Sequence, residues 1–101
     1  MYKIIPFREV EDDLMVLPDK IVNEVLDYFE KYKVDPYKYS KPLYNQSNIN
    51  LKGYRKTYVA NATYRIVIQI EDEIAKIVEV VAVGSRKDKQ IYIKASTRIN
   101  K

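Results

Sequence analysis

The chain contains neither cysteine nor histidine among its 101 residues, and these two absences exclude several kinds of chemistry. Without cysteine it has no disulfide, no thiolate metal ligand and no thiol nucleophile. Without histidine it lacks the commonest general base, and a zinc site would have to be built from carboxylates alone. A serine-based catalytic triad is excluded for the same reason. We therefore expect no metal and no cofactor.

Glycine and long apolar runs are also scarce. The two glycines, Gly53 and Gly84, cannot form a P-loop or a dinucleotide-binding fingerprint. No apolar run reaches the roughly 18 residues of a membrane span. The first residues lack the apolar stretch and the cleavage site of a signal peptide. We expect a cytoplasmic protein without a membrane partner, whose length corresponds to a single domain, 1–101.

The charged residues are unevenly distributed along the chain. Residues 1–35 carry five basic and nine acidic side chains, residues 36–70 carry six basic and no acidic ones, and residues 71–101 carry seven basic and five acidic ones. A basic middle segment is typical of a surface that meets a polyanion. The alternative is a solvated, lysine-rich surface without a ligand. The charge distribution therefore favours a phosphate-containing partner.

Hydrophobic periodicity predicts both helices and strands in this chain. Phe7, Val10, Leu14 and Leu17 form the apolar stripe of a first helix, and a second helix should begin near Pro18 and stop at Asp35-Pro36. The buried face of the second helix would consist of Ile21, Val22, Val25, Leu26, Phe29 and Tyr32. Strands are predicted at 2–7, 51–59, 64–70 and 75–83, a loop at 37–50, and a closing helix at 89–99.

These elements predict an α+β fold with the order β-α-α-β-β-β-α. The sheet should be small, four-stranded and mostly antiparallel, with 78–83 in a central strand, because this run is apolar enough to be covered on both faces. The N-terminal helical hairpin would cover one face, and the chain would end in a short helix. The other face would stay partly open and be lined from the basic middle segment, which makes it the expected ligand surface.

Two arginines lie at predicted strand ends, where a sheet can hold them in a fixed geometry. Arg65 opens the strand 64–70, and Arg86 follows the last strand after Gly84-Ser85. A guanidinium can donate two hydrogen bonds to phosphate oxygens and stays protonated at neutral pH. The alternative roles are a surface ion pair for Arg65 and a plain turn position for Arg86.

Tyr92 and Lys56 are further candidates for binding or chemistry. Tyr92 could stack on an RNA base or contact phosphate, or it could be a core ring of the last helix. Lys56 lies in a cationic strand, where neighbouring charges would lower its proton affinity and suit it to act as a general base; the alternative is a solvated lysine. The carboxylates at 9–13 and 71–73 lack metal-site spacing, and we expect them to be solvated.

The order of four segments resembles the RelE/ParE toxin superfamily over nearly the whole chain. The segments are MYKIIPF, LKGYRK, YRIVIQIEDE and VGSRKDKQIY, with the helical hairpin between the first two. The resemblance implies a RelE-like mRNA interferase of a type II toxin–antitoxin module, with the fold predicted above. It also implies partners: the ribosome, the messenger RNA cleaved in its decoding site, and a cognate antitoxin that inhibits the toxin in a hetero-oligomer.

Matched motif by motif, the resemblance implies roles for individual residues. Arg65 corresponds to the arginine that stabilises the phosphorane-like transition state, and Arg86 to the arginine that binds phosphate and assists the leaving group. Tyr92 corresponds to the tyrosine that orients or stacks on the substrate base. Lys56 corresponds to one of two lysines on the preceding strand, the other being replaced by Tyr58. The side chains expected to bind RNA are Lys52, Arg55, Tyr58, Lys87 and Lys89.

The leading hypothesis is thus a metal-independent, ribosome-dependent endoribonuclease toxin. A second hypothesis, within the same superfamily, is a ParE-like toxin that poisons DNA gyrase without cutting RNA. A third is a degenerate member that only binds its partner. The combination of Arg65, Arg86 and Tyr92 favours the first, because a protein that only binds another protein does not need these three side chains.

Overall fold

Eight regular elements form one mixed sheet with helices on both of its faces. The computed structural model describes residues 1–44 and 49–100. In chain order the elements are β1 (Lys3–Pro6), α1 (Val10–Met15), α2 (Asp19–Val34), β2 (Lys41–Pro42), β3 (Arg55–Val59), β4 (Tyr64–Glu71), β5 (Ile77–Ser85) and α3 (Gln90–Ile99), with a 3₁₀ turn at Lys87–Lys89. No helix in the two described ranges is long and apolar enough to cross a membrane.

The sheet confirms the predicted α+β class but has five strands instead of four. Its order is β1-β5-β4-β3-β2, and only the pairing of β1 with β5 is parallel. The additional strand, β2, lies in the segment that was predicted to be a loop. It contributes only two pairs, Lys41 with Lys56 and Pro42 with Arg55. A strand of two residues shows no periodicity, so the sequence pattern did not reveal it.

One face of the sheet packs against α1 and α2, as the helical hairpin predicted. Val25 and Tyr32 of α2 are fully buried with Ile66 and Ile68 of β4. The predicted apolar face of α2 is wrong at one position, because Leu26 is 44% exposed. β5 has buried residues on both faces of the sheet, so 78–83 is an interior strand, as predicted: Val78, Val80 and Val83 on this face, Val81 and Ala82 on the other.

The opposite face is covered by α3, and the prediction of a partly open face is therefore wrong. Val67 of β4, which points away from Ile66 and Ile68, packs with Ile91, Tyr92 and Ala95 of α3. Leu43 and Leu51, from the chain on either side of residues 45–48, complete this second cluster. Because α3 is amphipathic, it folds back over the sheet and buries its apolar side there.

Asp13 joins three elements and is not the solvated carboxylate that the sequence suggested. Its side chain is 4% exposed and receives two hydrogen bonds from Arg98 of α3, at 2.6 and 2.7 Å. It also accepts one from Lys94 Nζ at 3.1 Å and one from the Val83 amide at 3.0 Å. Arg98 Nη1 in turn donates to the Val81 carbonyl at 3.0 Å.

This ion pair completes the hydrogen bonding of β5 where β1 has ended. β1 pairs with β5 only over Ile77–Val80, so the remaining backbone groups on that side of β5 need other partners. The Asp13 carboxylate and the Arg98 guanidinium supply them at Val83 and Val81. The same pair ties α1 to α3 across the edge of the sheet.

Candidate functional site

The pairing of β3 with β4 brings three of the predicted residues together on one face of the sheet. Tyr58 lies opposite Arg65, and Lys56 lies opposite Val67. Because side chains alternate along a strand, Lys56, Tyr58, Arg65 and Val67 share the face that α3 covers. Tyr92 of α3 approaches this group from above the sheet. The candidate site is therefore the end of the β3–β4 hairpin next to α3.

The Arg65 guanidinium is held in one orientation by three neighbours. Arg65 is 8% exposed, its Nε donates to the Tyr92 hydroxyl at 2.7 Å, and its Nη1 donates to the Ala62 carbonyl at 2.7 Å. Its Cζ lies 4.3 Å from the centre of the Tyr58 ring. Nη2 has no hydrogen-bond partner within the described residues. This nitrogen is thus the part of the guanidinium that remains available to an external anion.

The hairpin turn between β3 and β4 supplies one of these neighbours. Ala60, Asn61 and Ala62 have φ values of 51°, 56° and 71°. This left-handed region is unfavourable for alanine, and a non-glycine residue held there is a source of local strain. The turn directs the Ala62 carbonyl at Arg65, three residues further on. The turn geometry therefore helps to orient the guanidinium.

Tyr58 stands among three cations. Besides the Arg65 guanidinium under its ring, Lys56 Nζ lies 5.1 Å and Lys41 Nζ 5.6 Å from the ring centre. A hydrogen bond from Lys56 lowers the pKa of the Tyr58 hydroxyl; partial burial opposes this, and the charges of Lys56, Arg65 and Lys41 lower it further. Tyr58 is 38% exposed, so part of this residue is accessible from solvent.

Tyr92 is a buried ring that hydrogen bonds to Arg65. It is 6% exposed and belongs to the cluster between α3 and the sheet. Its hydroxyl accepts the hydrogen bond from Arg65 Nε. Tyr92 is therefore a core ring of the last helix, the alternative considered for it from the sequence, and its polar contact is with Arg65. Because the Tyr92 ring is buried under α3, an RNA base could stack on it only after α3 had moved.

Arg86, Lys87 and Lys89 lie beyond the end of β5, close to the same hairpin turn. The amide of Arg86 donates to the Thr63 carbonyl at 3.2 Å. An open cavity of about 480 Å³ is lined by Thr63, Ser85, Arg86 and Lys87, and all three basic side chains are exposed. Since Gly84 pairs with Arg65, this basic group borders the Arg65 site.

The structure does not bring Arg55 and Lys52 to the site. Arg55 lies on the opposite face of β3, where its Nε donates to the Ser40 hydroxyl at 2.7 Å and its Nη2 to the Ser40 carbonyl at 3.0 Å. Its guanidinium also lies over the Tyr37 ring. Lys52 precedes β3 at the end distant from Arg65. Arg55 therefore anchors the segment before β2.

A cleft beside β2 contains residues that the sequence analysis did not single out. It measures about 290 Å³ and is lined by Tyr28, Lys38, Tyr39, Ser40, Lys41, Lys56, Thr57 and Tyr58. Lys31 lies over the Tyr28 ring at 4.7 Å, and Lys38 lies over the Tyr39 ring at 5.5 Å. The cleft reaches the site through Tyr58. The signal in the sequence was the alternation of lysine and tyrosine within the acid-free segment 36–70.

Within the described part of the chain, no group of three or more acidic side chains is placed to hold a metal ion. The site thus offers cations, phenols and backbone groups. Together these can bind phosphate, stabilise developing negative charge on oxygen and move protons.

Neither protein-family models nor the curated proteins match the sequence, whereas solved structures do. A chain of the RelBE2 toxin–antitoxin complex of Mycobacterium tuberculosis is 27% identical, with a TM-score of 0.67 over 84% of this chain and 98% of that one. A mutant of the Escherichia coli toxin RelE in the free state gives 0.71 at 18% identity, over 97% of both chains. The archaeal RelE–RelB complex of Pyrococcus horikoshii gives 0.62 at 14% identity, over 85% of this chain and 96% of that one.

The chain has the fold of the RelE toxins. The resemblance predicted from the four sequence segments is thereby confirmed. The match to the E. coli toxin covers 97% of this chain. It therefore includes the strands that carry Arg65 and Tyr58 and the helix that carries Tyr92. At 18% and 14% identity, two of the three matches bear on the fold alone.

Proposed function

We propose that this RelE-like protein is the toxin of a type II toxin–antitoxin module and cleaves translated messenger RNA in the ribosomal decoding site. The observation that carries the proposal is the environment of Arg65, whose guanidinium is fixed by Tyr92, Ala62 and Tyr58 while Nη2 stays free. A cation preorganised in this way can stabilise charge on a phosphate without first reorganising. A surface that only binds a protein does not require it.

The proposed reaction is attack of a ribose 2′-oxygen on the adjacent phosphorus. It needs a group that accepts the 2′-hydroxyl proton, cations at the non-bridging phosphate oxygens, and a proton for the departing 5′-oxygen. Arg65 Nη2 would bind a non-bridging oxygen, and Arg86, exposed beside the hairpin turn, would bind the phosphate from the other side. Lys56 and Tyr58 are the candidates for the proton acceptor. No step of this route requires a metal ion.

Because the site has only weak acid–base groups, the rate of cleavage would depend strongly on the geometry in which the RNA is held. Part of the barrier to in-line attack is the cost of aligning the 2′-oxygen, phosphorus and 5′-oxygen. A site without histidine gains from a partner that holds the RNA in that alignment, and the ribosome is such a partner. The cytoplasm, where translation occurs, is the corresponding location.

The basic surface around the site would contact RNA beyond the scissile phosphate. Lys87 and Lys89 are exposed next to Arg86, and Lys38 and Lys41 line the cleft beside Tyr58. Single-stranded RNA is bound by cations at its phosphates together with aromatic rings at its bases. Tyr39 and Tyr58 supply such rings next to these lysines. We therefore add the cleft to the proposed RNA-binding surface.

A cognate antitoxin would inhibit the toxin in a hetero-oligomer, and residues 1–101 would act as a single domain. Solved structures with this fold include two toxin–antitoxin complexes. Inhibition would follow if the antitoxin covered the basic surface or displaced α3. Displacement of α3 would remove Tyr92 from Arg65 and leave the guanidinium without one of its supports.

The test is cleavage of a defined messenger RNA in a purified translation system, with gyrase supercoiling measured in parallel. We expect fragments that carry a 2′,3′-cyclic phosphate and a 5′-hydroxyl, formed only when ribosomes are present, and no inhibition of gyrase. Inhibition of gyrase without RNA fragments would establish the ParE-like alternative. A protein with neither activity that still binds its antitoxin would be the degenerate member.

A further inference from the structure

We propose that Tyr58 is the catalytic residue that accepts the 2′-hydroxyl proton, acting as a phenolate stabilised by the cations around it. The inference rests on the proposed ribonuclease function and names the proton acceptor of that reaction. It would replace Lys56 in the role of general base that the cationic strand suggested in the sequence. Lys56 would instead hold the phenolate in its ionised form.

The position of Tyr58 fits this role. Its ring lies against the Arg65 guanidinium, with 4.3 Å between Cζ and the ring centre. A phosphate bound at Nη2 of Arg65 would therefore lie close to the edge of Tyr58, and the attacking 2′-oxygen is adjacent to that phosphate. Tyr58 is also exposed enough to meet a substrate, whereas Tyr92 is buried. The Tyr58 phenol is thus a proton-accepting group that lies beside the proposed phosphate position and is open to a substrate.

The charges around Tyr58 favour the ionised form. The charged groups that face the phenol are Lys56 on its own strand, Lys41 on β2 and Arg65 on β4, and all three are cations. The hydrogen bond from Lys56 lowers the pKa of Tyr58, partial burial acts in the opposite direction, and the charges of Lys56, Arg65 and Lys41 add to the lowering. Opposite charges at these distances stabilise an anion.

The geometry separates the roles of Lys56 and Tyr58. Lys56 Nζ lies 5.1 Å from the centre of the Tyr58 ring, close enough for its positive charge to stabilise the ionised phenol. A protonated lysine in that position cannot take a proton from the substrate, but it can stabilise the oxygen that does. Arg65 and Lys41 cannot act as bases while they carry their charges. Tyr58 is the remaining acceptor in the group.

The proton and bond changes balance without a further reactant. The Tyr58 phenolate takes the 2′-hydroxyl proton as the 2′-oxygen forms a bond to phosphorus. The bond between phosphorus and the 5′-oxygen breaks, and the 5′-oxygen takes a proton from water. Tyr58 then returns its proton to the hydroxide that remains. The products are a 2′,3′-cyclic phosphate and a 5′-hydroxyl.

The experiment is single-turnover cleavage on programmed ribosomes at saturating protein, followed as a function of pH. Tyr58→Phe removes only the hydroxyl and keeps the ring over Arg65, and we expect cleavage to slow by about 10²–10⁴-fold, the usual contribution of a general base. Tyr58→Lys should recover part of the rate, because an amine can also accept a proton. Ribosome binding and thermal unfolding should be unchanged in Tyr58→Phe.

The pH profile distinguishes a base from a ring that only positions Arg65. The wild-type rate should rise with pH up to the pKa of Tyr58, and this limb should be absent in Tyr58→Phe. Replacing Tyr58 by 3-fluorotyrosine, a near-isosteric phenol of greater acidity, should shift the limb to lower pH.

Three outcomes would overturn the inference. Wild-type cleavage with an equal rate in Tyr58→Phe would remove Tyr58 from the reaction and leave the proposed function intact. A limb that 3-fluorotyrosine does not move would assign the proton acceptor elsewhere. Absence of cleavage by the wild-type protein would refute the proposed function itself, and the role of Tyr58 with it.

Discussion

At the scale of single residues, Arg65 is predicted to act in the transition state. Two of its nitrogens are bound within the protein, so the third is held where charge would develop. Arg65→Ala should lose about 2.7–4 kcal/mol of transition-state stabilisation, as when one oxyanion donor is removed, which is about 10²–10³-fold in cleavage rate. Arg65→Lys should recover only part, because a lysine cannot reproduce a fixed planar group.

The measurement is single-turnover cleavage of ribosome-bound messenger RNA at constant salt. Thermal unfolding of each variant is the control, since Arg65 also supports Tyr92 and the hairpin turn. Unchanged cleavage by a folded Arg65→Ala protein would show that this arginine is not catalytic.

The hydroxyl of Tyr92 is predicted to stabilise the fold through Arg65. Tyr92→Phe would leave the buried Nε of Arg65 without its partner, and hydrogen bonds to charged groups contribute about 1.5–3 kcal/mol. The free energy of unfolding in urea should fall by about that amount. Tyr64→Phe is the matched control, because no hydrogen bond of the Tyr64 hydroxyl is found in the described structure. Equal losses in both variants would argue against the proposed contact.

The sequence specifies where a residue lies relative to its neighbours when strand pairing alone decides its position. Arg65, Tyr58 and Lys56 lie on one face because a short hairpin joins β3 to β4, and the hairpin was readable from the sequence. The position of Arg55 could not be inferred from the sequence. Alternation along β3 places its side chain on the other face, where its partners come from residues 37–40. The burial of Tyr92 depends on how α3 docks, which periodicity does not specify.

At the scale of elements, the Asp13–Arg98 pair is predicted to hold α1, β5 and α3 together. Asp13→Ala would leave Arg98 largely buried without its carboxylate, and breaking a buried ion pair by removing one partner costs about 3–5 kcal/mol. The free energy of unfolding should drop accordingly. Asp12→Ala, at the exposed neighbouring position of α1, should change it little. Similar losses in the two variants would contradict a specific role for Asp13.

The same carboxylate should make the fold sensitive to acid. Burial raises the pKa of Asp13, but hydrogen bonds from Arg98, the Val83 amide and Lys94 outweigh it, and the pKa lies below its ordinary value. Because the unfolded chain then binds the proton more readily, this stabilisation is complete above the ordinary aspartate pKa of about 3.9 and is lost as the pH falls through the lowered value.

Urea unfolding at a series of acidic pH values tests this pH dependence. Asp13→Asn, which cannot titrate, should flatten the fall in stability. Glu71→Gln provides a comparison, since backbone amides of Ile74, Ala75 and Glu73 lower the pKa of Glu71 as well. An unaltered acid profile in Asp13→Asn would assign the sensitivity to other carboxylates.

A list of helices and strands that lacked only the two-residue strand β2 still left one face of the sheet wrongly described. Each apolar stripe indicated that α2 and α3 must cover something, but not which side of the sheet. The polar contacts between α1 and α3 connect residues more than 80 positions apart in the chain. Local periodicity carries no information about such pairs, and Asp13 consequently resembled a solvated carboxylate in the sequence.

At the scale of the whole molecule, the basic charge of 36–70 is concentrated around the cleft and the site. Lys38, Lys41 and Lys56 line the cleft, and Arg65 lies beyond it on the other side of Tyr58. The acidic residues at 9–13 lie instead on or next to α1. The basic segment of the sequence therefore forms a basic surface in the fold. Its position beside the short strand β2 could not be inferred without the sheet order.

This surface predicts how binding to ribosomes should respond to salt. Each phosphate contact that is lost should reduce the slope of log affinity against log salt concentration by about 0.7–0.9, because fewer counterions are released. Lys41→Ala and Lys38→Ala should each have this effect, measured in the Arg65→Ala background so that the messenger RNA stays intact. Lys3→Ala is the matched control, since it removes one charge from β1 at the opposite edge of the sheet. If all three variants shared the slope of the parent, the cleft would not contact RNA, and the bound strand would have to approach Arg65 from the side of Arg86 and Lys87.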